Sequence, residues 1–198
     1  MKKIFLIFIA LLAVNLNASQ FGLKMGMSLK QIDKNAKKVG NGVYFISVPK
    51  PHSAFDKYVA RICPKKGLYY IKAIGKDIST NGSGYSLQTA FDNMEAKLTK
   101  AYGKHNKIDF LSSGSLWDKS HYWMMGLLKQ DRYLIANWNK KEGSKLKDNL
   151  SSVGLGVSAL SQEKGYISID YTYSNSEECE KELAAMEAIR SIPADEDA

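Results

Sequence analysis

Residues 83–104, SGYSLQTAFDNMEAKLTKAYGK, are the stretch that decides the fold of this chain. Its apolar residues recur at the spacing of one helix face, which predicts an amphipathic helix. That face consists of Leu87, Phe91, Met94, Leu98 and Ala101. Ser86 is the predicted N-cap and Gly103 the predicted C-cap. Short strand-like runs flank the stretch, and they need such a helix to cover their apolar side.

Runs rich in β-branched and aromatic residues predict strands on both sides of this helix. The predicted strands are residues 43–48, 58–63, 68–74, 108–111, 132–138, 153–160 and 166–173. A first helix is predicted over residues 28–40, because Ser28 and Gln31 have the spacing of a capping box. Its apolar positions are Leu29, Ile32, Ala36 and Val39, and Gly40 is its predicted end. A short helix is predicted over residues 120–129.

The last predicted helix begins at Asn175 or Ser176 and extends over residues 176–190. Its apolar positions, which we expect to face the sheet, are Cys179, Leu183, Met186 and Ile189. Together the elements predict one α+β domain over residues 19–192, a mainly antiparallel sheet covered on one face by helices. An acidic, disordered tail is expected over residues 193–198.

The order of helix, strand and hairpin occurs twice along the chain. The hairpins RICPKKGLYYI and ALSQEKGYISI align on Lys66-Gly67 and Lys164-Gly165. This similarity suggests two weakly related halves.

The first 18 residues predict a secretory signal peptide that is cleaved after Ala18. Lys2 and Lys3 precede eleven apolar residues, and the polar segment NLNAS then places Leu16 and Ala18 at positions that suit a signal peptidase. Eleven residues span about 16 Å as a helix, about half of a bilayer core. The residue directly after the predicted cleavage point is Ser19 and not a cysteine, so no lipid anchor is expected there. We therefore expect a soluble periplasmic or secreted protein without a transmembrane segment.

The charge of the chain is unevenly distributed. The net charge is +8, while residues 177–198 carry −6 and residues 19–176 carry +12. A basic body of this kind can bind anionic envelope polymers. The simpler interpretation is a solvated lysine surface, since only Arg61 and Arg132 accompany the lysines of the body. Nucleic acid is not expected as a partner.

Cys63 and Cys179 are the two cysteines of the chain. In an oxidising compartment they predict one structural disulfide. The alternative is two buried free thiols.

The densest aromatic cluster lies in the second half of the chain. Its candidate groove residues, which can line a site for an apolar ligand or a partner peptide, are Trp117, His121, Tyr122, Trp123 and Trp138. The alternative is that these side chains form the core beneath a helix.

Catalytic motifs are missing from the sequence. His52, His105 and His121 do not have a metal-binding spacing, and the hydrolase motif GxSxG does not occur. We predict no catalytic residue, metal site or cofactor. The expected function is a non-catalytic binding or accessory module for an unknown envelope protein or ligand. The alternatives are a small hydrolase that uses His52 or His121, and a binder of anionic polymers.

Two resemblances agree with export. The segment FGLKMGMSLKQI, residues 21–32, resembles the entry of SmpA/OmlA-type modules, which are small α+β domains of Gram-negative envelopes. The matching residues are Gly26, Met27, Ser28, Gln31 and Ile32. The segments GLYYIKAIGKDI and GSLWDKSHYWMMGLL, with the hairpin that precedes SNSEECEKEL, are similar to those of a set of uncharacterised exported bacterial proteins, a resemblance that implies no activity.

Overall fold

The computed structural model describes residues 19–191 and shows a nine-stranded, unclosed antiparallel sheet with four α-helices. The predicted α+β fold is therefore confirmed. The predicted signal peptide (residues 1–18) and acidic tail (residues 193–198) lie outside the described residues. None of the described helices combines the length and the apolar content needed to cross a bilayer.

The elements alternate between helices and strand groups. The helices are α1 (Leu29–Ile32), α2 (Tyr85–Tyr102), α3 (Trp123–Leu128) and α4 (Ser176–Arg190). The strands of the first half are β1 (Lys37–Gly40), β2 (Val43–Ile46), β3 (Phe55–Cys63), β4 (Gly67–Gly75) and β5 (Ile78–Ser79). Those of the second half are β6 (Asn106–Leu111), β7 (Arg132–Asn139), β8 (Leu150–Ala159) and β9 (Lys164–Tyr173).

The two halves have the same strand order when each is read outward from the centre of the sheet. Across the sheet the order is β1-β2-β3-β4-β9-β8-β7-β6, and β5 pairs with one end of β9. A shift of 98 positions carries Gly67 to Gly165 and Lys72 to Asp170. Lys72 and Asp170 lie directly opposite each other in the β4–β9 ladder. Residues of β4 and β9 that the alignment on Lys66-Gly67 and Lys164-Gly165 makes equivalent therefore meet at this position.

Helix α2 covers one face of the sheet and forms much of the core. The buried residues of its predicted stripe are Leu87, Phe91, Met94 and Leu98, whereas Ala101 is exposed. Gly103 is the C-cap, as predicted, but the N-cap is Gly84 and not Ser86. Gly84 has a φ of 67°, and a Cβ there would overlap the ring of Trp123. The close approach of α3 therefore selects glycine at the start of α2.

The prediction of one helix over residues 28–40 is wrong. It starts as predicted, with Gln31 Oε1 accepting hydrogen bonds from Ser28 N and Oγ, but α1 ends at Ile32. The Asp33 carboxylate accepts hydrogen bonds from Asn35 N and Ser47 N, both at 2.8 Å. These bonds hold the pKa of Asp33 below its ordinary value. The chain turns at Asp33, and the following residues pair with β2 as strand β1.

Helix α4 packs apart from the other three. Cys179 is buried and forms a disulfide with Cys63, with a Cα–Cα distance of 5.4 Å, so the predicted bond is confirmed. Tyr69 completes this small cluster, which is separate from the main core. The second half of α4 does not face the sheet as predicted. Met186 is 41% exposed and Ile189 is 70% exposed, because α4 contacts mainly β3 and β4 through its first turns.

We predict that reducing the Cys63–Cys179 disulfide lowers the free energy of unfolding by about 4 to 5 kcal/mol on the chain-entropy model. The bond closes a loop with a sequence separation of 116 and pins α4 to the end of β3. Denaturant unfolding with and without reductant measures the difference. Thiol titration of the unfolded, unreduced chain should find no thiol. Two reactive thiols per chain would contradict the disulfide.

Candidate binding face on the open side of the sheet

The two faces of the sheet are covered very differently. Alternation along the strands directs Ile71 and Ile169 into the core beneath the helices α1, α2 and α3. Their neighbours Lys72 and Asp170 point to the opposite side. Of the described helices, only α4 reaches that side, where it contacts the ends of β3 and β4. We call this second side the open face.

Cross-strand registers define three adjacent rows of residues on the open face. The central row crosses eight strands and consists of Lys37, Phe45, Val59, Lys72, Asp170, Gly154, Asn137 and Asn106. The row on one side of it contains Val43, Arg61, Tyr70, Thr172, Ser152 and Asn139. The row on the other side contains Lys57, Ile74, Ser168, Gly156, Ile135 and Ile108.

Small residues occupy the middle of this face in a strip along β8 and β9, which we call the trough. Its residues are Ser152, Gly154, Gly156 and Ser158 of β8, with Ser168 and Thr172 of β9. Ser168 is only 6% exposed, yet its hydroxyl makes no hydrogen bond to another described residue. The trough therefore contains a nearly buried polar group that is free to bind a ligand.

The fold does not require glycine at Gly154 or Gly156. Neither residue has a positive φ. A Cβ on Gly154 would come no closer than 3.4 Å to another residue, and a Cβ on Gly156 no closer than 3.7 Å. Glycine inside a strand is unfavourable by roughly 0.5 to 1 kcal/mol, and it often marks the close approach of a ligand or another backbone. These two glycines therefore point to function.

An apolar wall flanks the trough on the side of β6 and β7. It consists of Ile108, Phe110, Tyr133 and Ile135. Phe110 and Tyr133 stack with their ring centroids 6.5 Å apart, and both rings are about half exposed. The wall thus offers a preformed aromatic and aliphatic surface.

A basic wall flanks the trough on the side of β1 to β4. Its exposed cations are Lys37, Lys57 and Arg61, and none of them forms a salt bridge with another described residue. The guanidinium of Arg61 lies 5.2 Å from the centroid of the Tyr70 ring, which holds the cation in place. This side of the face therefore favours an anionic partner.

A polar cluster fixes the boundary between the trough and the basic wall. Tyr70 donates its hydroxyl to Asp170, and Lys72 Nζ lies 3.0 Å from the same carboxylate. Burial and the Asp170 charge raise the pKa of the Tyr70 hydroxyl, so it remains a donor at any physiological pH. Because Lys72 neutralises Asp170, the net charge of the basic wall stays positive.

The structure divides the predicted groove residues between the surface and the core. Trp117 and His121 both contact Tyr122, at centroid distances of 5.6 and 4.1 Å. Trp123 is buried against Gly84, and Trp138 is buried against His105. Three of the five residues therefore meet at the surface near α3, whereas Trp123 and Trp138 belong to the core.

Neither of the two histidine rings proposed for a hydrolase makes a hydrogen bond to a hydroxyl or thiol among the described residues. His52 Nδ1 accepts a hydrogen bond from Ala54 N at 3.1 Å, which is a local turn contact. The His121 ring packs on Tyr122 and makes no hydrogen bond to another described residue. This geometry gives no support to hydrolysis at either ring.

A third histidine belongs to a cluster that the sequence analysis missed. His105 Nε2 lies 2.7 Å from Glu95 Oε1, and His105 Nδ1 lies 3.3 Å from Thr99 Oγ1. Glu95 Oε2 also accepts a hydrogen bond from Lys107 Nζ at 2.6 Å. Burial acts to raise the pKa of Glu95, but the bonds from Lys107 and His105 outweigh it and lower the pKa. The spacing of Glu95 and Thr99 by one helical turn was the only sequence signal.

This cluster connects α2 to the start of β6. Both ring nitrogens of His105 have partners, and the ring stacks on Trp138. No group of three or more metal-ligating side chains occurs among residues 19–191. The contacts account for the cluster as a structural anchor.

The fold and its open face define an α+β domain built on a single antiparallel sheet. Comparisons with protein-family models, with curated proteins and with solved structures found no match. The function is therefore inferred from the geometry of the chain itself.

The substitution Gly156→Ala should leave the free energy of unfolding unchanged or raise it by about 0.5 to 1 kcal/mol. The added methyl group has room on the open face. The matched control is Gly75→Ala, where the Cβ would lie 2.5 Å from the carbonyl oxygen of Ile167. That variant should lose about 1 to 3 kcal/mol, since the backbone must shift. Equal losses in denaturant unfolding would show that Gly156 is structural.

The substitution Glu95→Gln should lower the free energy of unfolding at pH 7 by about 1 to 2 kcal/mol. Because folding lowers the pKa of Glu95, its contribution is complete above the unfolded-state pKa and declines as the pH falls through the folded-state pKa. The difference between the two proteins should therefore shrink in acid. Asp92→Asn is the control, because Asp92 also pairs with Lys107 but is 63% exposed. A difference that does not change with pH would contradict this assignment.

Proposed function

We propose that this chain is an exported, non-catalytic binding module that holds a partner protein on its open face. The observation that carries the proposal is the trough, which lies between an apolar and a basic wall on the part of the open face that α4 does not cover. Its glycines cost stability without a steric need, and the Ser168 hydroxyl in it has no partner among the described residues.

The dimensions of the open face favour a protein over a small molecule. Eight strands span seven inter-strand spacings, which is about 34 Å, and three rows with their side chains extend over roughly 20 Å. The resulting area is on the order of 700 Å², close to one partner's share of a standard protein–protein interface. Small-molecule sites are instead concave cavities that enclose their ligand.

Two further observations support export to the periplasm or the exterior. The first residues have the charged start, the apolar core and the small residue at the cleavage point of a secretory signal. Cys63 and Cys179 form a disulfide, a bond that persists mainly in oxidising compartments. The resemblance of residues 21–32 to envelope modules agrees with this location.

Binding of polyanions through the whole basic body has less support. Five lysines form salt bridges with acids of the described chain. The lysines in such pairs are Lys66, Lys72, Lys107, Lys164 and Lys181. The remaining positive charge on the open face is restricted to the basic wall.

A photo-crosslinking amino acid in place of Tyr133 should capture a partner protein in cells of the source organism. Tyr133 lies on the apolar wall and is 44% exposed. Tyr85, at the start of α2 and 74% exposed, is the matched control position and should not give the same product. Adding Gly156→Val to the Tyr133 variant should abolish the crosslink. Identical products from both positions, or none from Tyr133, would refute the proposal.

A further inference from the structure

We infer that the partner inserts a projecting loop or strand edge into the trough, and that this projection is apolar on one side and acidic on the other. The inference rests on the proposed function and names the chemistry of the partner. It follows from the fixed order of the apolar wall, the trough and the basic wall across the open face.

The trough determines the shape of the projection. Gly154 and Gly156 point to the same side of β8 and lie about 7 Å apart. Without side chains, the strand backbone there can be approached more closely than elsewhere on the face. A narrow segment fits this space, and a polar group of its main chain can bond to the free Ser168 hydroxyl.

The apolar wall determines one side of the projection. Ile135 is one strand spacing from Gly156, and Ile108 is two spacings away, which gives about 5 and 10 Å. The stacked rings of Phe110 and Tyr133 extend this wall along the strands. An aliphatic or aromatic side chain of the partner would be desolvated on this side.

The basic wall determines the other side. Lys57 and Arg61 lie three strand spacings from β8, about 14 Å away. Asp56 is next to Lys57 in β3, and Glu180 of α4 lies near Tyr69. Neither acid forms a salt bridge with the basic wall. Carboxylates of the partner would complement these cations.

A second copy of the chain is a poorer occupant of the open face than an acidic partner. Face-to-face pairing of two copies would put two basic walls into one interface without an acidic wall to complement either of them. The charge of the wall thus selects a different protein.

The test uses a phage-displayed library of disulfide-closed loops of about ten random residues, selected on the purified full chain. Enriched loops should carry net negative charge and at least one aromatic or aliphatic residue. Individual loops should bind Gly156→Val at least about tenfold more weakly, as expected when a central contact is lost. Arg61→Glu should weaken binding and reduce its salt dependence. Lys97→Glu, an exposed position on α2, is the charge-matched control and should bind as the wild type does.

Three results would overturn the inference. The first is enrichment of loops without an excess of acids. The second is unchanged binding to both Gly156→Val and Arg61→Glu, with thermal unfolding confirming that the variants are folded. The third is a dimer in solution that Gly156→Val dissociates, which would place a second copy on the face. Crosslinking from Tyr133 together with loops that are not acidic would refute this inference and leave the proposed function intact.

Discussion

The pairing of β4 with β9 is the constraint on which the rest of the structure depends. It joins the two halves of the chain at the centre of the sheet, where Lys72 lies opposite Asp170. On the core side the same ladder places Ile71 beside Tyr171. A slip of one residue would turn the apolar side chains of one strand outward. Core packing on one face and the Lys72–Asp170 ion pair on the other therefore specify the same register.

The central ladder also positions every part of the open face. Because β8 is the neighbour of β9, its glycines lie next to the centre of the sheet and not at an edge. Strands β1 and β3 carry the basic wall, and β6 and β7 carry the apolar wall. Helix α4, tied to β3 by the disulfide, leaves this central region uncovered. The same strand order thus buries the core side chains on one face of the sheet and leaves the middle of the open face exposed.

Local sequence patterns predicted which helices and strands form, but they did not predict where α1 ends or which elements become neighbours in space. The period of α2 was long enough to identify its buried face, but α1 was predicted too long because Ala36 and Val39 continue its stripe by chance. The end of α1 depends on the bond between Asp33 and Ser47, a contact across 14 positions. The trough was not predictable for a similar reason. Only the strand order shows that Gly154 and Gly156 lie between two walls and face away from the helices.

Residues at equivalent positions in the two halves of the sheet can be compared directly. Lys72 pairs on its outer side with Val59 of β3. Its counterpart Asp170 pairs on its outer side with Gly154 of β8. By position in the sheet, Arg61, which pairs with Tyr70, corresponds to Gly156, which pairs with Ser168. The first half accommodates large side chains at these positions, so the sheet geometry does not demand glycine in the second. Since glycine also weakens a strand, its presence at these positions in one half only agrees with a need for space above β8, where we propose that the partner binds.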